Sequence, residues 1–593
     1  MNSLEILALV TGMLSGLALF LYGMETMGDG LVMLSGGKLE KILAKLTKNR
    51  LSALLLGALV TAIIQSSSAT TVMVVGFVNS GIMNLTQAVG IIMGANIGTT
   101  ITSWILSLTG ISGGNFFVQL LKPSTFSPVL AAIGIVCAMT GKDGSKKKII
   151  GGILLGFAVL MFGMETMSDA VSPLRDEPAF TGILTAFSNP LLGMAAGAIL
   201  TAIIQSSSAS VGILQALCIS GAVTYGTALP IIMGQNIGTC VTALLSSVGA
   251  SKNAKRAAFI HLYFNLIGTM LFMVGFYMID QFVHFAFLTE SASAAGVAVV
   301  HSLFNIGCAV VLFPFADKLV ELATLTVKDG KEERETARPA ELAALDERFL
   351  ENPSFALSLC KKAVVKMSEL SGQAIFLAME VQAEYSEEKV EEVIRLEQLV
   401  DVFEDGVGSY LVKIAGKDLD REDSHMLSVL LHSISDFERI SDHAIDVAET
   451  MQKMHRKGLS FTEQGRKELD LLGAAVRDIM NITAEAFTDS DTQKAVKVEP
   501  LEEVIDNLVM EIKERHIGRL KAGNCSLEAG ILLEDILTNY ERVSDHCSNI
   551  AASMIEIRAD ELDMHQYVDV EVKGSDPFFR KEYRRLKSIY ILP

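Results

Sequence analysis

Two polar tetrads interrupt apolar sequence, and they are identical: Gln65-Ser66-Ser67-Ser68 and Gln205-Ser206-Ser207-Ser208. Four consecutive polar side chains are costly in lipid and are tolerated where they line a cavity or pack into protein. Their chemistry is that of an ion site. Ser hydroxyls donate to anionic oxygens, and the Gln carbonyl, hydroxyl oxygens and freed backbone carbonyls suit a hard cation such as Na⁺. A helix broken at such a point also exposes backbone N–H groups with partial positive charge, which suits an anion. No Lys or Arg lies in 51–78 or 191–221. An anion there needs co-bound cations as well as dipoles, which argues for cation coupling without choosing between Na⁺ and H⁺. Glu25, Asp29, Glu165 and Asp169, near expected helix ends, keep H⁺ open.

A second pair of blocks supplies further oxygen ligands: Asn96, Thr99 and Thr100 in IIMGANIGTT, matched by Asn236 and Thr239 in IIMGQNIGTC. His261-x-x-Phe-Asn265 and His301-x-x-Phe-Asn305 place His and Asn on one helix face, a pattern read as interhelical hydrogen bonding. Ser, Thr and Asn are common glue in membrane bundles, but glue does not require the same tetrad and the same NIGT block twice in the same order.

Carboxylates form the third group. Glu397-x-x-x-Asp401 is echoed by Glu502-x-x-x-Asp506, and Phe437-Glu438-Arg439-Ile440-Ser441-Asp442-His443 by Tyr540-Glu541-Arg542-Val543-Ser544-Asp545-His546. An i,i+4 acidic pair repels on its helix face, and pairing two such helices gathers four carboxylates, which favours a divalent or trivalent cation. The plainer alternative is a solvated acidic face neutralised by Arg439 and Arg542.

These residues sit on two different kinds of sequence. The 593-residue chain has 49 Lys+Arg, 67 Asp+Glu and a net charge of −18. Residues 1–320 hold 15 basic and 12 acidic residues, leaving 34 basic and 55 acidic for 321–593. The first part is charge-poor with long apolar runs and reads as a polytopic membrane domain; the second reads as a soluble acidic one. A single soluble globular fold is excluded. The seven Cys have no paired spacing, so neither a zinc site nor a disulfide framework is expected. The N-terminus lacks a positive n-region and reads as a membrane helix rather than a signal peptide.

The membrane part repeats at an offset of 140: GMETM at 23–27 and 163–167, TAIIQSSSA at 61–69 and 201–209, IIMGANIGT at 91–99 and IIMGQNIGT at 231–239. Equivalent loops have opposite charge character. Loop 38–50 carries four Lys and Arg50 whereas 178–190 has none, and 252–256 carries Lys252, Lys255 and Arg256 whereas 112–116 has none. Positive-inside then sets the two halves upside down to one another. A crossing count with spans at 9–33, 84–111, 117–141, 149–172, 224–251, 257–279 and 294–316 closes only if the tetrads lie on re-entrant hairpins, because the 14-residue run 51–64 is too short to span. Residues 321–345 read as a charged linker and 346–565 as several long helices. The tail 566–593 is basic and aromatic, suited to an anionic membrane surface or to the acidic domain.

The paired QSSSA blocks, the GANIGTT and GQNIGTC blocks and the HxxFN motifs, over residues 5–316, resemble the type II sodium-dependent phosphate cotransporter family. The duplicated ExxxD set over 350–560 resembles the PhoU family of phosphate-signalling helical bundles. The expected fold is all-α: a polytopic membrane domain 1–320 of two inverted repeats, about 9–141 and 149–281, with re-entrant QSSS hairpins, and a cytoplasmic PhoU-like bundle. The resemblance implies Na⁺-coupled import of inorganic phosphate by alternating access, with Gln65–Ser68 and Gln205–Ser208 in the phosphate and Na⁺ sites and Asn96, Thr99, Asn236 and Thr239 beside them. It also implies a regulatory bundle that takes a metal through its ExxxD motifs. Two alternatives stay open: a membrane phosphate sensor without net transport, and a transporter of a related oxyanion. No enzyme activity is expected. The expected partners are phosphate, Na⁺, the lipid bilayer of the cell membrane and, left open, further copies of the chain; nothing points to nucleic acid.

Overall fold

A computed structural model describes residues 3–35, 49–110, 122–142, 145–173, 187–328, 339–559 and 577–593. The cation-bearing loop at 38–48 and the loops 112–116 and 178–186 lie outside them. The described residues are helical without a strand; one isolated bridge joins Thr224 and Ser291. They form two compact units, Met1–Phe355 and Ala356–Pro593.

In the first unit, α1 (Ser3–Ser35) is followed by a short pair, α2 (Arg50–Ile64) and α3 (Ser67–Asn79), then α4 (Leu85–Ser107), α5 (Pro123–Thr140) and α6 (Lys146–Val171). A second short pair follows, α7 (Pro190–Ile204) and α8 (Ser207–Ile219), then α9 (Tyr225–Ser246), α10 (Lys252–Val283), α11 (Ala294–Leu312) and α12 (Ala316–Thr326). Among the described residues, six helical stretches are long and apolar enough to cross a membrane: Glu5–Leu34, Leu85–Gly110, Lys146–Val171, Tyr225–Ser246, Lys252–Val283 and Ala294–Thr326. The helices carrying the tetrads are shorter, 15 and 13 residues in each pair. At 1.5 Å per residue each is about 20 Å long, well short of a 30 Å hydrocarbon core.

Glycine decides how these helices pack. A Cβ on Gly94 would lie 1.9 Å from the Leu54 carbonyl oxygen, and one on Gly234 1.9 Å from that of Met194. These glycines let α4 ride directly on the backbone of α2, and α9 on that of α7. In α1 and α6 the close approaches are reciprocal: Gly16 meets the Gly163 carbonyl and Gly23 that of Gly156, so these helices run antiparallel. Around that seam Phe20, Met27, Leu160, Met161, Met164 and Met167 form a core with Leu106 of α4.

Among its described residues the second unit holds two sets of three long helices: α13 (Pro353–Ala383, which starts just before the boundary), α14 (Glu387–Ala415) and α15 (Arg421–Arg456), then α16 (Glu463–Asp489), α17 (Val498–Lys521) and α18 (Leu527–Ala559). Ser386 and Asp420 cap α14 and α15, acidic residues fill their first turns and basic ones their last, as the helix dipole favours. A buried Glu468 of α16 takes both Arg519 nitrogens of α17 at 2.7 and 2.9 Å. The tail ends in α19 (Pro577–Ile589), which packs on α17 through buried Phe579 and Leu586. The Tyr590 hydroxyl donates to Asp478, and Arg515 donates to the Pro593 carbonyl oxygen at 2.7 Å. Of the two surfaces the sequence suggests for the tail, 577–593 lies on the acidic bundle.

Candidate functional site

Each tetrad is a helix break built the same way. Gln65 ends α2 with φ 62° and Gln205 ends α7 with φ 59°, both left-handed, which turns the chain sharply. Ser66 and Ser206 then cap α3 and α8 by accepting from Ala69 N and Ala209 N at 3.1 and 3.2 Å. Ser67 and Ser207 are the first residues of the new helices, and their hydroxyl oxygens lie 3.5 Å apart. Ser68 Oγ donates to the Gln205 carbonyl oxygen at 3.2 Å, and Thr242 Oγ1 to the same oxygen at 3.4 Å. Two tetrads 140 residues apart thus meet, and two helix N-termini with their partial positive charge converge on one point.

The copies are not identical in surroundings. Gln65 is buried with no partner on Oε1 among the described residues, whereas Gln205 is exposed. Thr61 Oγ1 donates to Thr70 Oγ1 at 3.0 Å. Their counterparts Thr201 and Ser210 are equally buried, yet neither hydroxyl has a partner among the described residues. The second copy, with Ser210 where the first has Thr70, lacks this contact among the described residues.

The asparagines of the NIGT blocks tie helices together. Asn96 Nδ2 donates to Asn265 Oδ1 at 2.8 Å, linking α4 to α10, and Asn236 Nδ2 donates to Asn305 Oδ1 at 3.1 Å, linking α9 to α11. Thr99 and Thr239 donate to their own helix at Ala95 O and Gln235 O. The HxxFN asparagines therefore make interhelical hydrogen bonds, while the rings of His261 and His301 are buried with no partner on either nitrogen among the described residues. Gln215, which sequence reasoning passed over, is fully buried and donates to Ser103 O and Ala294 O at 3.0 and 2.9 Å. Its counterpart at the 140 offset is Val75. An amide where the other copy has valine was the available signal.

The acidic residues of the second unit gather as two sets. In one, ligand oxygens of Glu502, Asp506 and Asp545 lie within 4.8 Å of one another. A hard cation held at about 2.3–2.6 Å from each oxygen fits that spacing. Glu541, the fourth carboxylate of the set, pairs with Lys513 at 3.4 Å. In the other, burial and then the Asp442 and Asp401 charges push the Glu397 carboxyl up. Glu438 rises to about 7, by burial first and the neighbouring Asp442 second. Arg439 and Arg542 reach Asp442 and Asp545, each at 3.2 Å, so the neutralising partners are present as well. Between the sets the His443 and His546 rings stack at 5.5 Å, His443 bonded to Asn539 at 2.7 Å and His546 to Asp436 at 2.9 Å. Equivalents lie 105 residues apart for Glu397/Glu502 and Asp401/Asp506 and 103 for the Glu438–His443 and Glu541–His546 blocks, so the second repeat of the sequence is also a repeat in space.

The profile of the Na⁺/Pi-cotransporter family matches residues 19–169 and 159–300, and that of the PhoU domain matches 364–451 and 469–554. A "Putative inorganic phosphate export protein YjbB" of Salmonella typhimurium is 25% identical over 92% of this chain and 97% of its own length. The Thermotoga maritima phosphate-specific transport system accessory protein PhoU homolog 1 is 24% identical over 34% of this chain and 86% of its own. The sheep sodium-dependent phosphate transport protein 2A is 39% identical over 16% of this chain and 15% of its own. The chain belongs to the Na⁺/Pi-cotransporter family of membrane proteins for phosphate transport, with a PhoU-like helical region at its C-terminal side.

Proposed function

We propose that the chain couples Na⁺ to the movement of inorganic phosphate, importing it by alternating access. The observation that carries this reading is the 3.5 Å approach of Ser67 and Ser207, each the first residue of a helix. Hydroxyls, amides and N-terminal dipoles supply an anion site, and the Gln and backbone carbonyl oxygens supply cation ligands. Gln65–Ser68 and Gln205–Ser208 line this site, with Asn96 and Asn236 holding the helices around it and Thr99 and Thr239 beside it. Neither tetrad contains a titratable group, and Glu25, Asp29, Glu165 and Asp169 are all exposed, which favours Na⁺ over H⁺ as the coupling ion.

The inverted-repeat reading draws support from α1 and α6, equivalent helices packed antiparallel through reciprocal glycines. Support for a re-entrant first hairpin comes from its two ends. Arg50, at the start of α2, pairs with Asp317, while Asn79, at the end of α3, bonds Ser251 N at 2.8 Å and Asp346 at 2.6 Å. Both ends thus meet the chain that leads toward the second unit. Lys252 and Lys255 flank the same place, so positive-inside makes that end, and the helical region after it, cytoplasmic. The helical region takes a regulatory role, with Glu502, Asp506 and Asp545, joined by Glu541, as one metal site and Glu397, Asp401, Glu438 and Asp442 as its counterpart.

The test is radiolabelled phosphate flux in proteoliposomes of the purified chain. Uptake that needs an inward Na⁺ gradient supports the reading; phosphate binding without flux under any cation gradient would sink it in favour of a sensor. The name of the Salmonella relative favours a second reading, in which phosphate leaves the cell. Flux measured with each gradient orientation, and competition by arsenate and sulfate, separates the direction and the substrate.

A further inference from the structure

Among the described residues, the first hairpin carries a contact that the second lacks. Asp346 sits in the segment that precedes α13, its side chain 7% exposed. Its Oδ2 accepts from Asn79 Nδ2 at 2.6 Å and from Arg348 Nη1 at 2.7 Å. Arg348 Nε donates in turn to the carbonyl oxygen of Ser246 at 2.8 Å. Asn79 is the last residue of α3 and Ser246 the last of α9, and Asn79 Oδ1 also accepts from Ser251 N, the cap of α10. One carboxylate and one guanidinium therefore join the end of α3 in the first repeat to the end of α9 in the second, and Asn79 itself bonds the start of α10. A guanidinium on a helix C-terminal carbonyl also complements the dipole there.

An aromatic cluster backs this polar knot. Phe77 of α3, Phe349 and Phe355 lie with ring centroids 5.1–5.3 Å apart, and all three are buried. Gly76 admits the Phe349 ring, since a Cβ there would be 2.8 Å from its Cε1 atom. The counterparts of Gly76, Phe77 and Asn79 in α8 are Ala216, Leu217 and Ile219, which can form neither the cradle nor the hydrogen bond. The segment is held in shape by its own turns: Asp346 Oδ1 accepts from Arg348 N at 3.0 Å, and Asn352 caps the start of α13 at Phe355 N, 3.1 Å.

We propose that Asp346–Phe355 is a latch on the first hairpin, closed in this conformation and opened during transport. The proposal rests on the transport reading above. Alternating access requires the hairpin of one repeat to shift against the other repeat, and the latch bonds the end of α3 to the end of α9. It must therefore release for α3 to move. It is also the segment from which α13 starts, so a rearrangement of that helix changes the latch without any contact at the ion site. This makes it the point at which the helical region sets the transport rate.

The test is a full-length Asn79→Cys/Asp346→Cys double variant in proteoliposomes, treated with a short, reducible bifunctional thiol reagent. The link is confirmed by mass spectrometry of the joined peptides, and the wild-type chain is treated in parallel. The expected result is a fall in phosphate flux of at least roughly tenfold on cross-linking, with phosphate binding retained and flux restored by reductant. Equal flux in the linked and reduced protein overturns the latch while leaving the transport reading intact, because the reduced protein still transports. Should the double variant be inactive when reduced, hydrogen exchange of Arg348→Ala decides. A latch predicts exchange at 67–79 faster by roughly tenfold, and unchanged exchange there overturns it. Absence of flux in the wild-type chain counts against the transport reading itself.

Discussion

Gln65 and Gln205 do two things at once. They turn the chain through the left-handed region, which costs a non-glycine residue about 1 kcal/mol or more, and in the proposed ion site they also present an amide. A residue chosen only for the turn would be glycine. Both Gln65→Ala and Gln65→Gly should therefore lose flux by at least roughly a hundredfold with normal expression and monodispersity, as removal of a buried ligand costs about 3 kcal/mol or more. Recovery in the glycine variant would show that only the backbone turn matters. The identities of these residues were legible in the duplicated tetrads. That Asn96 faces Asn265 was not, because hydrogen-bond partners 169 residues apart have no periodic signature.

At the scale of elements, small residues set the distance between helices. Gly94→Val places a side chain on the Leu54 carbonyl and should destabilise the α2–α4 pair by about 1–3 kcal/mol, read as a lower melting temperature in detergent. Gly152→Ala, with nothing within 4 Å of its new Cβ, is the control and should melt as the wild type does. A Gly94→Val protein as stable as the wild type would refute the backbone-contact account. The tail α19 makes the opposite point. Its basic, aromatic composition suits a membrane surface and an acidic bundle equally, and burial of Phe579, Leu586 and Tyr590 chooses the bundle. Deleting 577–593 should speed proteolysis at α17 severalfold, because that helix loses its cover.

The whole molecule joins a near-neutral membrane part to a strongly acidic helical one. If acidity served solubility alone, its carboxylates would stand apart. Instead Glu502, Asp506 and Asp545 face one another, and a cation joining them would offset their mutual repulsion. Metal analysis of the purified full-length chain should find bound divalent or trivalent metal, reduced in Asp545→Ala and again in Asp442→Ala. Equal metal in all three proteins would remove the assignment and leave Arg439 and Arg542 as the neutralising groups. Charge alone divides the chain at residue 320, whereas the two compact units divide at Phe355. The contacts of 346–355 with α3 and α9 were not legible, because those residues have the composition of an ordinary helix approach.

By itself the sequence determined what is periodic or duplicated: apolar helices, two tetrads at one offset, two ExxxD sets, and the opposite charge of equivalent loops. Those features are local or repeat along the chain, so they survive without knowledge of the fold. Tertiary structure alone decided what meets what. Ser67 reaches Ser207, Asn79 reaches Asp346, and the carboxylates of α17 reach Asp545 of α18, while the nearly identical surroundings of Thr70 and Ser210 diverge. The physical reason is that these contacts depend on how closely helices approach, and that distance is set by glycines and aromatic rings packed from elsewhere in the chain.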